Sequence, residues 1–161
     1  MTWPQILYLA PVVPAAVLAL SDLRHRSILV GWLIAFGSCV LLAAAFLSPV
    51  RTILHNVLTN ILLLGWMFGG VWLYLRLRYR NRTRSFGRYI GSGDVWFVLL
   101  LTPLFPLTVY IVLLLSGFAA GLLYGTAVRL VARRTVTIPL VSALGVAFIV
   151  YAFHRFYTWP S

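Results

Sequence analysis

The chain has 161 residues, 62% of them hydrophobic and only 9% charged, where a soluble domain carries about a quarter charged residues; a water-soluble globular fold is excluded. Its formal charge of +11 comes from thirteen arginines, with no lysine, against two acids, Asp22 and Asp94. In a soluble chain that excess would suggest nucleic acid, but in a membrane chain it marks loops held in the cytoplasm, so no nucleic-acid partner is expected. The single Cys39 leaves no intrachain disulfide or cysteine-based zinc site to build.

The first apolar run spans Trp3 to Leu20 and contains Pro4, Pro11 and Pro14. Pro4 can open a helix, and the other two are expected to kink it. No basic stretch or cleavage-site pattern marks this run as a removed signal, so it reads as a retained span. It leads into the short basic turn Ser21-Asp22-Leu23-Arg24-His25-Arg26-Ser27. A second run covers Ile28 to Leu47 and stops at Ser48-Pro49-Val50-Arg51. The third runs from about Val57 to Leu75, with Gly65, Gly69 and Gly70 expected to thin one face for close helix packing. The most basic stretch of the chain follows, with six arginines between Arg76 and Arg88, placed against anionic membrane lipids.

From Val95 to Val131 the sequence is apolar almost throughout. Arginines flank both ends, and basic loops prefer one side of the membrane, so this run should cross an even number of times. Pro103 and Pro106 supply the break. The reading is a short helix from about Gly93 to Leu104 and a longer one from Leu107 to Leu130. The last run is Ile138 to Phe153, closed by His154-Arg155 and the interfacial aromatics Phe156, Tyr157 and Trp159.

The sequence therefore predicts an all-α polytopic membrane protein, a single domain over 1–161 with about six transmembrane helices and both termini outside. Only Arg51 and Arg155 fall on the outer face in this threading; the other arginines face the cytoplasm. Asp22 and Asp94 then share the cytoplasmic boundary. Two neighbouring carboxyls cannot both ionise cheaply and come to share a proton. One can take a proton from water while the other donates to a substrate carbonyl, which hydrolyses a peptide without a covalent intermediate. Gly91 and Gly93 are expected to permit left-handed or crowded backbone and the close approach of an extended peptide. Each acid also has a plain structural reading: Asp94 as a helix cap, and Asp22 as a cap or the partner of Arg26 one turn on. The functional reading gains its weight from both acids standing on one face with no others in the chain.

Gly91-Ser92-Gly93-Asp94 resembles the Gly-x-Gly-Asp motif of membrane aspartyl proteases, and the type IV prepilin peptidase family in particular. In that family the first catalytic Asp follows the first retained span in a pattern similar to Asp22-Leu23-Arg24-His25-Arg26-Ser27-Ile28-Leu29-Val30, with Pro-Asn where this chain has Leu29-Val30. Thr137-Ile138-Pro139-Leu140-Val141 is similar to the Ile-Pro-Phe start of the family's last helix. The family usually has Lys where this chain has Trp96. Presenilin-like proteases share the glycine-Asp motif but place the first acid inside a span, whereas Ser21-Asp22 is expected at a loop edge.

The resemblance implies a bacterial inner-membrane endopeptidase, multi-pass, whose active site faces the cytoplasm and removes the basic leader of prepilins or pseudopilins. Asp22 and Asp94 would be catalytic, and Gly91, Ser92, Gly93 and Trp96 would meet the substrate. With one cysteine and no room for the Cys-x-x-Cys domain linked to methylation, the chain resembles the short, cleavage-only members serving Flp/Tad-type pili, which need no cofactor. The substitutions at Trp96 and Leu29-Val30 motivate an alternative, an inactive relative that assembles with a pilus or type II secretion machinery. A proton-coupled carrier is a third reading, weakened because neither acid lies mid-membrane. His25, His55 and His154 fall in separate loops and suggest no metal site.

Overall fold

The computed structural model describes residues 3–25, 29–78, 91–132 and 140–158, all arranged as helices and short connections. Helix α1 (Trp3–Leu9) gives way to α2 (Val12–His25) at Pro11. Proline has no N–H and its ring obstructs the preceding turn; the Pro11 carbonyl instead starts α2 by accepting the Ala15 N–H at 3.1 Å. Pro14 lies in the first turn of α2, where an N–H would have no intrahelical acceptor. The break expected at two prolines therefore falls at one. Helix α2 continues to His25, so Ser21, Asp22, Leu23 and Arg24 form its last turn and not the loop expected of them. Arg26, the sequence-level partner for Asp22, lies outside the described residues.

Helix α3 (Val30–Leu47) ends where expected, and α4 (Val50–Arg78) begins seven residues before the expected Val57. The Pro49 carbonyl accepts the N–H groups of Thr52 and Ile53 at 2.9 and 3.2 Å, so the helix winds straight through its polar opening. At 29 residues it is about 44 Å long and outreaches a hydrocarbon core of about 30 Å. Its polar first turns and its terminal Arg76 and Arg78 are accommodated by that excess. Arg76 stacks over Trp72 at 5.0 Å, and Arg78 donates to the Tyr74 hydroxyl at 3.0 Å.

Helix α5 (Ser92–Leu101) is followed by a tight turn over 102–106, then α6 (Leu107–Ala132) and α7 (Leu140–Tyr157). Among the described residues, five helical segments are long and apolar enough to cross a membrane: Gln5–Arg24, Val30–Leu47, Val50–Arg78, Leu107–Leu130 and Leu140–Tyr157. The sixth apolar helix, α5, has 10 residues and rises about 15 Å, half the hydrocarbon thickness. The protein is an all-α, membrane-embedded polytopic chain.

A short helix that ends inside an apolar bundle must find partners for its last carbonyls, because hydrocarbon supplies none. Leu99 O accepts from the Thr102 hydroxyl at 2.8 Å, and Val98 O accepts from the Tyr110 hydroxyl at 2.9 Å, tying α5 to the start of α6. From α4, the Asn60 amide donates to Thr102 O at 3.0 Å and to Phe105 O at 2.8 Å. Asn60 is fully buried.

The core is aromatic and gathers around α5. Phe36 of α3 stacks on Phe97 of α5 at 4.8 Å and meets Phe148 of α7 edge-on at 5.8 Å; Phe105 in the turn packs on Phe148 and Tyr151. Close backbone approach occurs at Gly37 against Leu100, Gly117 against Leu144, and Gly145 against Ala15 and Ala19. The approach expected at Gly65, Gly69 and Gly70 is absent, since a Cβ on any of them would meet nothing within 4 Å. Small residues matter where helices cross, and α4 crosses its neighbours at other positions.

Candidate functional site

The first turn of α7 is where the two acids meet. The opening amides of a helix have no intrahelical acceptor, and the positive end of its dipole favours negative charge. Ser142 donates its backbone N–H to Asp22 Oδ2 at 3.1 Å, and its hydroxyl lies 3.0 Å from the same oxygen. One residue earlier, the Val141 N–H is a donor to the Asp94 carboxylate. Two consecutive amides of one helix thus serve the only two acids in the chain.

Asp22 reaches this point from the last turn of α2, where its own helix dipole opposes a negative charge; the opposing N-terminus of α7 offsets that. The approach is set by the small residues Ala15 and Ala19 on α2, two turns and one turn before Asp22. A Cβ on Gly145 would lie 3.0 Å from the Ala19 Cβ, so the helices touch almost backbone to backbone. The Ser142 hydroxyl also lies 2.7 Å from the Ala19 carbonyl. Asp22 and Ser142 are both buried, at 9% and 3% exposure.

Asp94 sits in the first turn of α5, outside the five spanning segments. Phe97, Val98 and Leu101, three, four and seven residues on, are buried, so the Asp94 face of α5 is the one pressed into the core. Its carboxylate accepts the Gly91 N–H at 3.2 Å, and its own N–H donates to the Gly91 carbonyl at 3.1 Å. The capping reading of Asp94 is realised in this form, with Gly91 as the N-cap residue. Burial, and after it the negative charge of Asp22, pushes the Asp94 carboxyl above the usual carboxylate range, while the Gly91 and Val141 hydrogen bonds pull the other way.

Gly91 has φ −65° and ψ 136°, ordinary extended backbone, so the left-handed conformation expected there is not needed. Its glycine has another cause: a Cβ would stand 2.9 Å from Asp94 Oδ2, in the space the carboxylate occupies. Gly91 and Ser92 are exposed and Gly93 half-buried. Trp96 is 58% exposed and, two positions from Asp94, lies about 200° round the helix from it. Leu29 and Val30 are exposed too.

Among the described residues no group of three His, Cys, Asp or Glu side chains gathers at one point. Sequence reading missed Ser142 and Asn60. Ser142 carried a readable signal, a lone hydroxyl three residues after Pro139 at a helix start. Asn60 carried a weaker one, pairing with the buried Asn56 at a four-residue interval on one helix face. The chain matches no protein-family model, no curated protein and no solved structure.

Proposed function

We propose that this protein is a membrane aspartyl endopeptidase that removes the basic leader of type IV prepilin-like proteins at the cytoplasmic membrane face. The observation that carries the reading is the convergence of both acids on Val141 and Ser142. Two carboxyls held at neighbouring amides, one of them favouring its proton, have the makings of a dyad that shares one proton. In such a dyad one carboxylate draws a proton from water as the oxygen attacks the peptide carbonyl, and the other protonates the carbonyl oxygen. The resulting gem-diol collapses when the first carboxyl returns its proton to the leaving nitrogen and the second recovers its own. No metal or redox group enters this chemistry.

The first turn of α5 supplies a place for substrate. The Ser92 and Gly93 amides open a helix and have no acceptor within it; they can donate to the carbonyls of an extended peptide. Gly91 and Gly93 leave no side chain in its path. A helical prepilin segment arriving from the lipid has to unwind there, because a protease acts on an extended backbone. Hydrogen exchange that left the scissile segment of a bound leader protected as helix would refute the unwinding step.

The alternative, an inactive assembly partner in a pilus or type II secretion system, draws on Trp96, Leu29 and Val30. All three are exposed, and Trp96 lies about 200° round α5 from Asp94. The test is cleavage of a panel of purified prepilins in lipid by wild type, Asp22→Asn and Asp94→Asn. Cleavage that either substitution abolishes is expected; cleavage that survives both would remove the aspartyl mechanism.

A further inference from the structure

Resting on that dyad, we propose that Ser142 is its positioning residue: the Ser142 hydroxyl alternates between the Ala19 carbonyl and the Asp22 carboxylate, which makes Asp22 the member that takes the proton from water and Asp94 the member that protonates the peptide carbonyl.

A hydroxyl has one proton to donate, yet Ser142 Oγ lies within hydrogen-bond distance of two acceptors, Ala19 O at 2.7 Å and Asp22 Oδ2 at 3.0 Å. The choice between them follows the charge of Asp22. When the carboxylate is ionised, a charge-assisted bond to Oδ2 is the stronger option, and it adds to the backbone bond at the same oxygen. When Asp22 is protonated that attraction fades, and the hydroxyl turns to Ala19 O by rotation about one bond. No helix has to move. Ser142 therefore accommodates both states of Asp22 in a site where an unmatched polar group would be costly.

The geometry also divides the oxygens of Asp22. Both Ser142 donors converge on Oδ2, which leaves Oδ1 as the oxygen that can receive a proton from water. Among the described residues Asp94 has no such adjustable donor: its partners there are the fixed backbone amides of Gly91 and Val141, and burial and the Asp22 charge favour the neutral acid. In the forward step the O–H bond of water breaks toward Asp22 Oδ1, the water oxygen bonds the peptide carbon, and the Asp94 proton passes to the carbonyl oxygen. Collapse returns the Asp22 proton to the leaving amine and the gem-diol proton to Asp94, so atoms and charge balance over the cycle.

Few titratable groups belong to the elements packed around this turn. From α2 come Asp22 and the exposed Arg24, and from α5 Asp94; α7 brings Tyr151, His154 and Arg155 from its far end. Helix α3 has Cys39, α1 has Tyr8, and α6 has Tyr110, Tyr124 and Arg129. His25 closes α2, so a His25→Gln background serves as control.

Two readouts test the proposal. The first is the pH profile of prepilin cleavage by wild type, Ser142→Ala and Ser142→Thr. Loss of one hydrogen bond to a charged group predicts that Ser142→Ala lowers kcat/KM about tenfold and moves the acid limb upward by about one pH unit. KM stays unchanged, and Thr, which restores the hydroxyl, rescues. The second uses carboxyl-13C aspartate, which places label in just two side chains of the chain and reads their titration whether or not the protein cleaves anything. There Ser142→Ala is expected to raise the first ionisation of the pair by about one unit. The Ala change only deletes an atom, so it carries the test even if the added methyl of Thr disturbs packing. Superimposed titrations of wild type and Ser142→Ala would overturn the assignment while leaving the dyad intact. If Asp94→Asn leaves the remaining carboxyl titrating as before, the dyad itself falls, and the role of Ser142 with it.

Discussion

Helix α5 is held by polar contacts at both ends, and the two ends are built in opposite ways. At its N-terminal end, carboxyl oxygens of Asp22 and Asp94 meet backbone amides from the start of α7. At its C-terminal end, backbone carbonyls of Thr102 and Phe105 meet the neutral amide of Asn60. Both ends solve the problem of an interrupted helix inside an apolar bundle, where every backbone group needs a partner. The Asn60 amide neither gains nor loses a proton and is sealed from solvent. The Asp end has two groups whose charge can change, and it opens toward the exposed Gly91 and Ser92. A fixed bond holds the helix in place, and an adjustable one suits chemistry.

The comparison predicts a clean division of mutant effects, with the largest at the acids. Asp22→Asn or Asp94→Asn is expected to lower prepilin cleavage on the order of 10³-fold, the scale of losing a positioned acid or base, while the thermal unfolding midpoint in detergent changes little. At the opposite end, Asn60→Leu strands two buried carbonyls. The expected cost is about 1–2 kcal/mol of stability, the range of interhelical hydrogen bonds in membranes, read by reversible unfolding. Its pH–rate profile should keep the wild-type shape. A shifted profile in Asn60→Leu would mean the two ends are coupled through α5 and would break the division.

Gly91→Ala probes the Asp end more gently. The new Cβ would lie 2.9 Å from Asp94 Oδ2, and the flexible carboxylate can yield to it, so the fold should survive. The displaced carboxyl loses its Gly91 donor, and kcat/KM is expected to fall about tenfold, the worth of one charge-assisted hydrogen bond. Full activity in Gly91→Ala would show that the Gly91 contact does not set the position of Asp94.

The two ends also differ in how readily the sequence discloses them. Asp22 and Asp94 stand out because acids are scarce in this chain, and arginine asymmetry predicts that both stand on one membrane face. The helical class and most helix limits follow from apolar runs. What the runs concealed was polar residues inside helices: the opening of α4 from Arg51 to Asn56, and Ser21–Arg24 in the last turn of α2. Hydropathy reads such residues as loop, whereas backbone hydrogen bonding carries the helix through them. Glycine was similarly ambiguous. Gly65, Gly69 and Gly70 cluster conspicuously yet touch nothing, while the isolated Gly145 sets the α2–α7 contact. Which glycine faces a neighbour depends on helix rotation, a tertiary property. Ser142 and Asn60 required partners 120 and 42 or more positions away, beyond the reach of any local pattern.

The smallest expected effect is a drift of stability with pH, and it separates the ends most sharply. Burial first, and the Asp22 charge second, raise the Asp94 carboxyl above its ordinary 3.8. The folded protein therefore holds this proton more tightly than the unfolded chain does. Its contribution to stability is fully present below that ordinary value and is lost as pH rises through the raised folded value. Unfolding midpoints should decline across this interval in wild type. Asp94→Asn, neutral at every pH, should flatten the decline, and Asp22→Asn should reduce it without abolishing it, because burial remains when the neighbouring charge is gone. Asn60→Leu should lower the whole curve in parallel, having removed a bond that does not titrate. A decline that persists unchanged in Asp94→Asn would assign the drift to another group and leave Asp94 with no special hold on its proton.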